Sequence, residues 1–219
     1  MRRLLYPGLA VLLIVLVVWL TAPAPCDGTQ CVVDRAVAAG NARACDALAS
    51  AQERAWCVTD VAAALDDARV CDRIEEERSR AFCVSGIAAA DRDVVACRAI
   101  THQPARDDCL DALARSLPDG SLCGEIVSAG FRDSCAYDLG REFNDPQVCL
   151  LMADTARSYR CVAFVALDLN TTEPCALTPL PDSDWCVLSV AMKMGDLSLC
   201  DGVRNVTVYS ACRMGILSR

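Results

Sequence analysis

Sixteen cysteines set the terms on which this chain can fold. They stand at 26, 31, 45, 57, 71, 83, 97, 109, 123, 135, 149, 161, 175, 186, 200 and 212. From Cys31 onward the steps alternate 14 and 12 residues, broken only by a step of 11 between Cys175 and Cys186. A fixed 26-residue period marks a tandem repeat, in which each unit buries its apolar face against its neighbours, and it outranks any local propensity.

Aligned on the cysteines, the units share further positions. Four residues before the first cysteine of each unit stand Asn41, Asp67, Asp93, Asp119, Asp145, Thr171 and Asp196. Side chains of these types accept a hydrogen bond from an otherwise unpaired amide at a helix start. A short helix is therefore expected around each first cysteine, and Pro146 directly after Asp145 suits its first position. Three residues beyond those cysteines come Leu48, Ile74, Ile100, Ile126, Met152 and Val203, which share their face. After the second cysteine, apolar residues recur at one, four and five places on: Val58, Val61 and Ala62 in one unit, Leu110, Leu113 and Ala114 in another. That spacing draws one stripe along a longer helix, with a small residue where a neighbouring backbone must come close. Each unit reads as a short helix, a tight turn and a longer helix. Isolated helices below about 12 to 15 residues are marginal in water, so stacking and covalent staples must hold them.

Two regular disulfide pairings are open. Pairing within units joins Cys45–Cys57, Cys71–Cys83, Cys97–Cys109, Cys123–Cys135, Cys149–Cys161, Cys175–Cys186 and Cys200–Cys212, leaving Cys26–Cys31 as an eighth pair. The shifted phase joins Cys31 to Cys45, Cys57 to Cys71 and so on, stranding Cys26 and Cys212. Exported chains seldom leave lone thiols, which favours the first scheme. Each in-unit loop of about a dozen residues is worth roughly 3 kcal/mol on the chain-entropy model. Aromatics make up only 5% of the chain, so large core anchors are scarce and staples must supply part of the stability.

Arg2 and Arg3 precede an uncharged stretch, residues 4–22, which as a helix would extend about 28 Å, one bilayer core. This favours an uncleaved N-terminal anchor over residues 1–25 and an extracytoplasmic domain over residues 26–219, basic end inside. A cleaved signal and secretion is the alternative; the only small-x-small site, at Ala22 and Ala24, is followed by Pro25. Export also explains how so many cysteines can be oxidised. The net charge of −8 repels nucleic acid and anionic lipid.

No motif points to a reaction, to a cofactor or to a metal. His102, the single histidine, sits in a turn between helices. Phosphate loops, dinucleotide fingerprints and HExxH are absent, as is any Cys-x-x-Cys. Zinc and iron–sulfur sites bring two ligands within two to four residues, and the nearest thiols here, Cys26 and Cys31, are further apart. Acid groups such as Asp107 with Asp108, or Glu75, Glu76 and Glu77, fall at helix starts or on a solvated face. Arg54, Arg80, Arg106 and Arg132, three before the second cysteine, are placed to reach a capping Asp or the carbonyl end of a short helix. Just before the second cysteine the units carry Trp56, Phe82 and Trp185 in three cases and Asp108, Ser134 and Arg160 in others. Variation at a fixed place suits either local packing or a recognition surface. Two sequons, at Asn170 and Asn205, are open to glycosylation in an exported chain.

With period, caps and cysteines in place, the chain resembles the cysteine-rich α-solenoids of the Sel1-like and tetratricopeptide-like class. That resemblance spans roughly residues 31–217, lies in the architecture, and implies a non-enzymatic scaffold for protein interactions. The expected fold is all-α: an N-terminal transmembrane helix, then an α-solenoid of about seven 26-residue helical hairpins, each stapled by a disulfide. The expected function is a membrane-anchored scaffold for another protein or a cell-envelope component. A structural spacer is the alternative, and an enzyme or metal-binding protein the remote one.

Overall fold

The computed structural model describes residues 28–218, all of whose regular structure is helical. Residues 4–22, where the membrane helix is expected, and Cys26 lie outside the described residues. Among the described residues no helix is long and apolar enough to cross a membrane.

Longer helices are numbered α1 to α8: α1 Thr29–Ala38, α2 Ala51–Leu65, α3 Glu77–Ala90, α4 Gln103–Ser116, α5 Ala129–Glu142, α6 Thr155–Leu169, α7 Asp182–Met194 and α8 Val206–Leu217. A short helix precedes each from α2 onward. Five of these are 3₁₀ turns (Ala42–Ala47, Ala68–Arg73, Gly120–Glu125, Glu173–Leu177 and Leu197–Gly202), and two, Val94–Ala99 and Pro146–Cys149, are α-helical. The sequence predicts helix there without specifying its type. Segments of four to six residues close few i→i+4 bonds, which favours the tighter winding.

Seven disulfides join short to longer helix within each repeat, with Cα atoms 5.5 to 5.9 Å apart. The in-unit phase is the one found. Cys31, on α1, is also disulfide-bonded; its expected partner is Cys26. Helix α1 adds something the alignment begins too late to include. Buried Ala36 stands five residues after Cys31, so α1 is the longer helix of a further unit.

Contacts divide the chain into two compact units, one ending at Val61 and one beginning at Ala62. In the first, α1 packs on the Ala42–Ala47 turn, and Thr29 donates to Glu53 across 2.9 Å. In the second, α3 to α8 pack each on the next. The predicted stripe forms its core. Cys109, Leu110, Leu113 and Ala114 are buried, as are Cys135, Ala136, Leu139 and Gly140, and then Cys161, Val162, Val165 and Ala166. Ile74, Ile100, Ile126, Met152 and Val203, three past the first cysteines, are buried with them. At Gly140 an added Cβ would meet Cys149 Sγ at 2.8 Å and the Asp145 carbonyl at 3.3 Å. The small position is thus where the next repeat's backbone crosses.

One residue ends each longer helix and begins the next short one. The amides of Asp67, Asp93, Asp119, Asp145, Thr171 and Asp196 donate back to the carbonyls of Ala62, Ala88, Ala114, Gly140, Ala166 and Ala191. These are the long-range bonds of Schellman closures, in which the residue before the donor is left-handed. Asp66, Arg92, Asn144, Asn170 and Gly195 occupy that place with φ between 53° and 69°. The side chains of Asp67, Asp93, Asp119, Asp145 and Asp196 then accept amides of the short helix they precede. In the sixth repeat the 3₁₀ turn starts one residue late, with Thr172 as its N-cap, so Thr171 does not hold the expected cap position. Its hydroxyl still accepts from the Glu173 amide at 3.4 Å.

Candidate functional surface

The polar side chains with the most defined surroundings hold turns. A second set of caps lies seven residues before the second cysteine, where the sequence shows no uniform residue type. Ser50 and Glu53 form a capping box, and bonds from Ser50 and Thr29 hold the Glu53 carboxyl below its ordinary range. Glu76 accepts the Arg78 and Ser79 amides, and its carboxyl is lowered chiefly by Ser79. Asp154 and Asn205 cap α6 and α8. His102 caps α4, its Nδ1 accepting from the Ala105 amide at 3.4 Å, and Phe82 meets its ring edge-on at 5.7 Å. The single histidine is a helix cap.

Asp107 corrects an expectation. Placed by the sequence at a helix start or on a solvated face, it is fully buried. Its two carboxylate oxygens accept the amides of Val127 and Ser128, in the turn of the following repeat, at 3.1 and 2.9 Å. Asp133 takes the amides of Ala153 and Asp154 at 2.6 and 3.3 Å. Asp184 takes those of Arg204 and Asn205 at 3.1 and 2.8 Å. All three stand two residues before the second cysteine. Each uses both oxygens to satisfy two amides, which is how a buried carboxylate is accommodated. Its neighbour Asp108 is exposed, with its carboxyl raised by partial desolvation and by Asp111.

The same column holds Ala55 in the first repeat, Ala81 in the second, Tyr159 in the fifth and Ser210 in the seventh. Ahead of Tyr159 the turn carries Pro179, which has no amide to offer. Ahead of Ala81 the turn offers two amides, Thr101 and His102, that donate to no group among the described residues. A cleft of about 200 Å³ opens there, lined among others by Asp72, Glu77, Arg80, Ala81, Thr101 and His102.

Three of the recurrent arginines reach the carbonyl that closes their own short helix. Arg54 donates to Leu48 and Ala49, Arg80 to Ile74, and Arg132 to Ile126. Trp56, Phe82 and Trp185 project from their helices with exposures of 62%, 36% and 53%. Asn170 is the exposed left-handed residue that ends α6, and Asn205 is an exposed cap. Repeats are also linked on the surface by Arg98 with Glu125 and by Arg115 with Asp138, while Arg115 also pairs with Asp111 on its own helix. Among the described residues no three His, Cys, Asp or Glu side chains converge as metal ligands would.

Comparison with family models, curated proteins and solved structures returns no match.

Proposed function

We propose that this chain is a membrane-anchored, extracytoplasmic α-solenoid that docks another protein or a cell-envelope component. Export is supported by seven disulfides buried in helical repeats, a chemistry suited to an oxidising compartment. Anchoring rests on the sequence of residues 4–22, and the alternative remains release after cleavage. The likeness to Sel1-like and tetratricopeptide-like solenoids is one of architecture.

The observation that carries the docking reading is the exposure of Trp56, Phe82 and Trp185 on stapled helices. Exposed aromatics on a rigid frame supply contact area at little conformational cost, and Trp is enriched among binding hot spots. Pull-down of the full chain from solubilised membranes tests it. A stoichiometric partner that is lost in Trp56→Ala or Phe82→Ala supports docking. No partner in any preparation favours a spacer that holds its C-terminal part away from the membrane, and a partner retained in both variants overturns these aromatics as the docking surface. Intact mass of the exported protein checks Asn170 and Asn205 at the same time, since a glycan adds mass that either Asn→Gln change would remove.

A further inference from the structure

We infer that the cleft between α3 and the turn at residues 100–102 binds a small zwitterion, whose carboxylate takes the place that an aspartate side chain fills in other repeats. Three times in this chain a carboxylate two residues before the second cysteine bridges two consecutive amides of the next turn. At Ala81 the scaffold and the amides are kept and the carboxylate is missing. The amides of Thr101 and His102 lie in the turn, ahead of the helix they lead into. What identifies them as a carboxylate site is that the equivalent pairs hold carboxylates elsewhere in the same molecule.

The remainder of the ligand follows from the cleft's size and charge. A cleft of about 200 Å³ open to solvent has room for a carboxylate with a few further heavy atoms. A bare anion would meet Arg80 but also Asp72 and Glu77 in the same lining. A molecule with an ammonium group close to its carboxylate satisfies the amides and the two acids together. Arg80 is held by its bond to the Ile74 carbonyl, and His102 by its cap bond and by Phe82, so the walls are set before a ligand arrives. The site does not rest on the docking reading; Phe82 borders both surfaces, so Trp56→Ala is the docking variant that leaves the cleft intact.

Amide NMR of the oxidised full chain, titrated separately with glycine, acetate and methylammonium, tests the inference. Glycine is expected to shift the Thr101 and His102 amides saturably, acetate to do so about tenfold more weakly, and methylammonium not at all; a tenfold loss matches one missing charged hydrogen bond. Ala81→Asp supplies the carboxylate from within and is expected to abolish the glycine response without lowering the melting temperature. Combined Asp72→Asn and Glu77→Gln, both at exposed positions, is expected to weaken glycine and leave acetate unchanged or tighter. No saturable shift at these amides, or an undiminished response in a folded Ala81→Asp chain, overturns the site. Acetate binding as tightly as glycine, or indifference to the double change, overturns the zwitterion.

Discussion

Two turns in the second unit, residues 126–128 and residues 100–102, are built alike and finished differently. Each follows a short helix carrying the first cysteine of a bridge, and each is closed by a buried isoleucine whose amide returns to that cysteine's carbonyl. Ahead of the first, Asp107 fills the space and takes both free amides; ahead of the second, Ala81 leaves a cleft and two amides without an acceptor among the described residues. The stapled hairpin does not need the aspartate in order to form. The carboxylate adds a bond between repeats, and its loss leaves a place that something else can fill.

The largest expected effect comes from what the two turns share. Replacing Cys123 and Cys135 together by Ala should cost about 3 kcal/mol in denaturant unfolding, from a loop of 12 residues closed between buried cysteines. Asp107→Ala should cost about 2 kcal/mol, because the Val127 and Ser128 amides lose a charged acceptor in a buried setting, and Asp107→Asn, which keeps one carbonyl oxygen, should fall between. The reverse change, Ala81→Asp, should stabilise the second unit by about 1 kcal/mol in the same assay. The difference between the turns would lose its meaning if Ala81→Asp destabilised the chain as much as Asp107→Ala does. The smallest effect is at the left-handed closure that leads into the second of these turns. Arg92 is exposed at φ 58°, a value glycine adopts freely, so Arg92→Gly should raise stability by about 0.5 kcal/mol, read as a small rise in melting temperature.

The parts of this molecule that repeat at a fixed step could be read from the chain, with a break in the sixth repeat, where the cysteine step shortens to 11 and Thr171 does not cap. The cysteine phase, the cap four residues before each first cysteine and the apolar stripe after each second one depend on a single residue type or class at a fixed step. The parts that vary in chemistry could not. His102, Glu76, Ser50 and Asp154 do the same capping work with four kinds of side chain, so no column announces it. The left-handed closures are only partly legible for a similar reason, since Gly195, Asn144 and Asn170 suit that backbone but Arg92 is not a residue one expects there. Asp107, a carboxylate beside another carboxylate, reads as solvated, and only partner amides twenty residues on make its burial tolerable. One signal was present: Asp107, Asp133 and Asp184 share a column, and where the next turn carries Pro179 that column holds Tyr159 instead. The identity of a docking partner leaves no such trace, because exposure of Trp56 or Trp185 specifies a surface and not what covers it.

That a carboxylate clamps one repeat to the next is tested most directly by native-state hydrogen exchange, resolved amide by amide and corrected for intrinsic rates. The account predicts that Val127, Ser128, Ala153, Asp154, Arg204 and Asn205 exchange slowly, and that Thr101 and His102, in an equivalent turn with no acceptor, exchange many times faster. Equal protection in all four turns would contradict it.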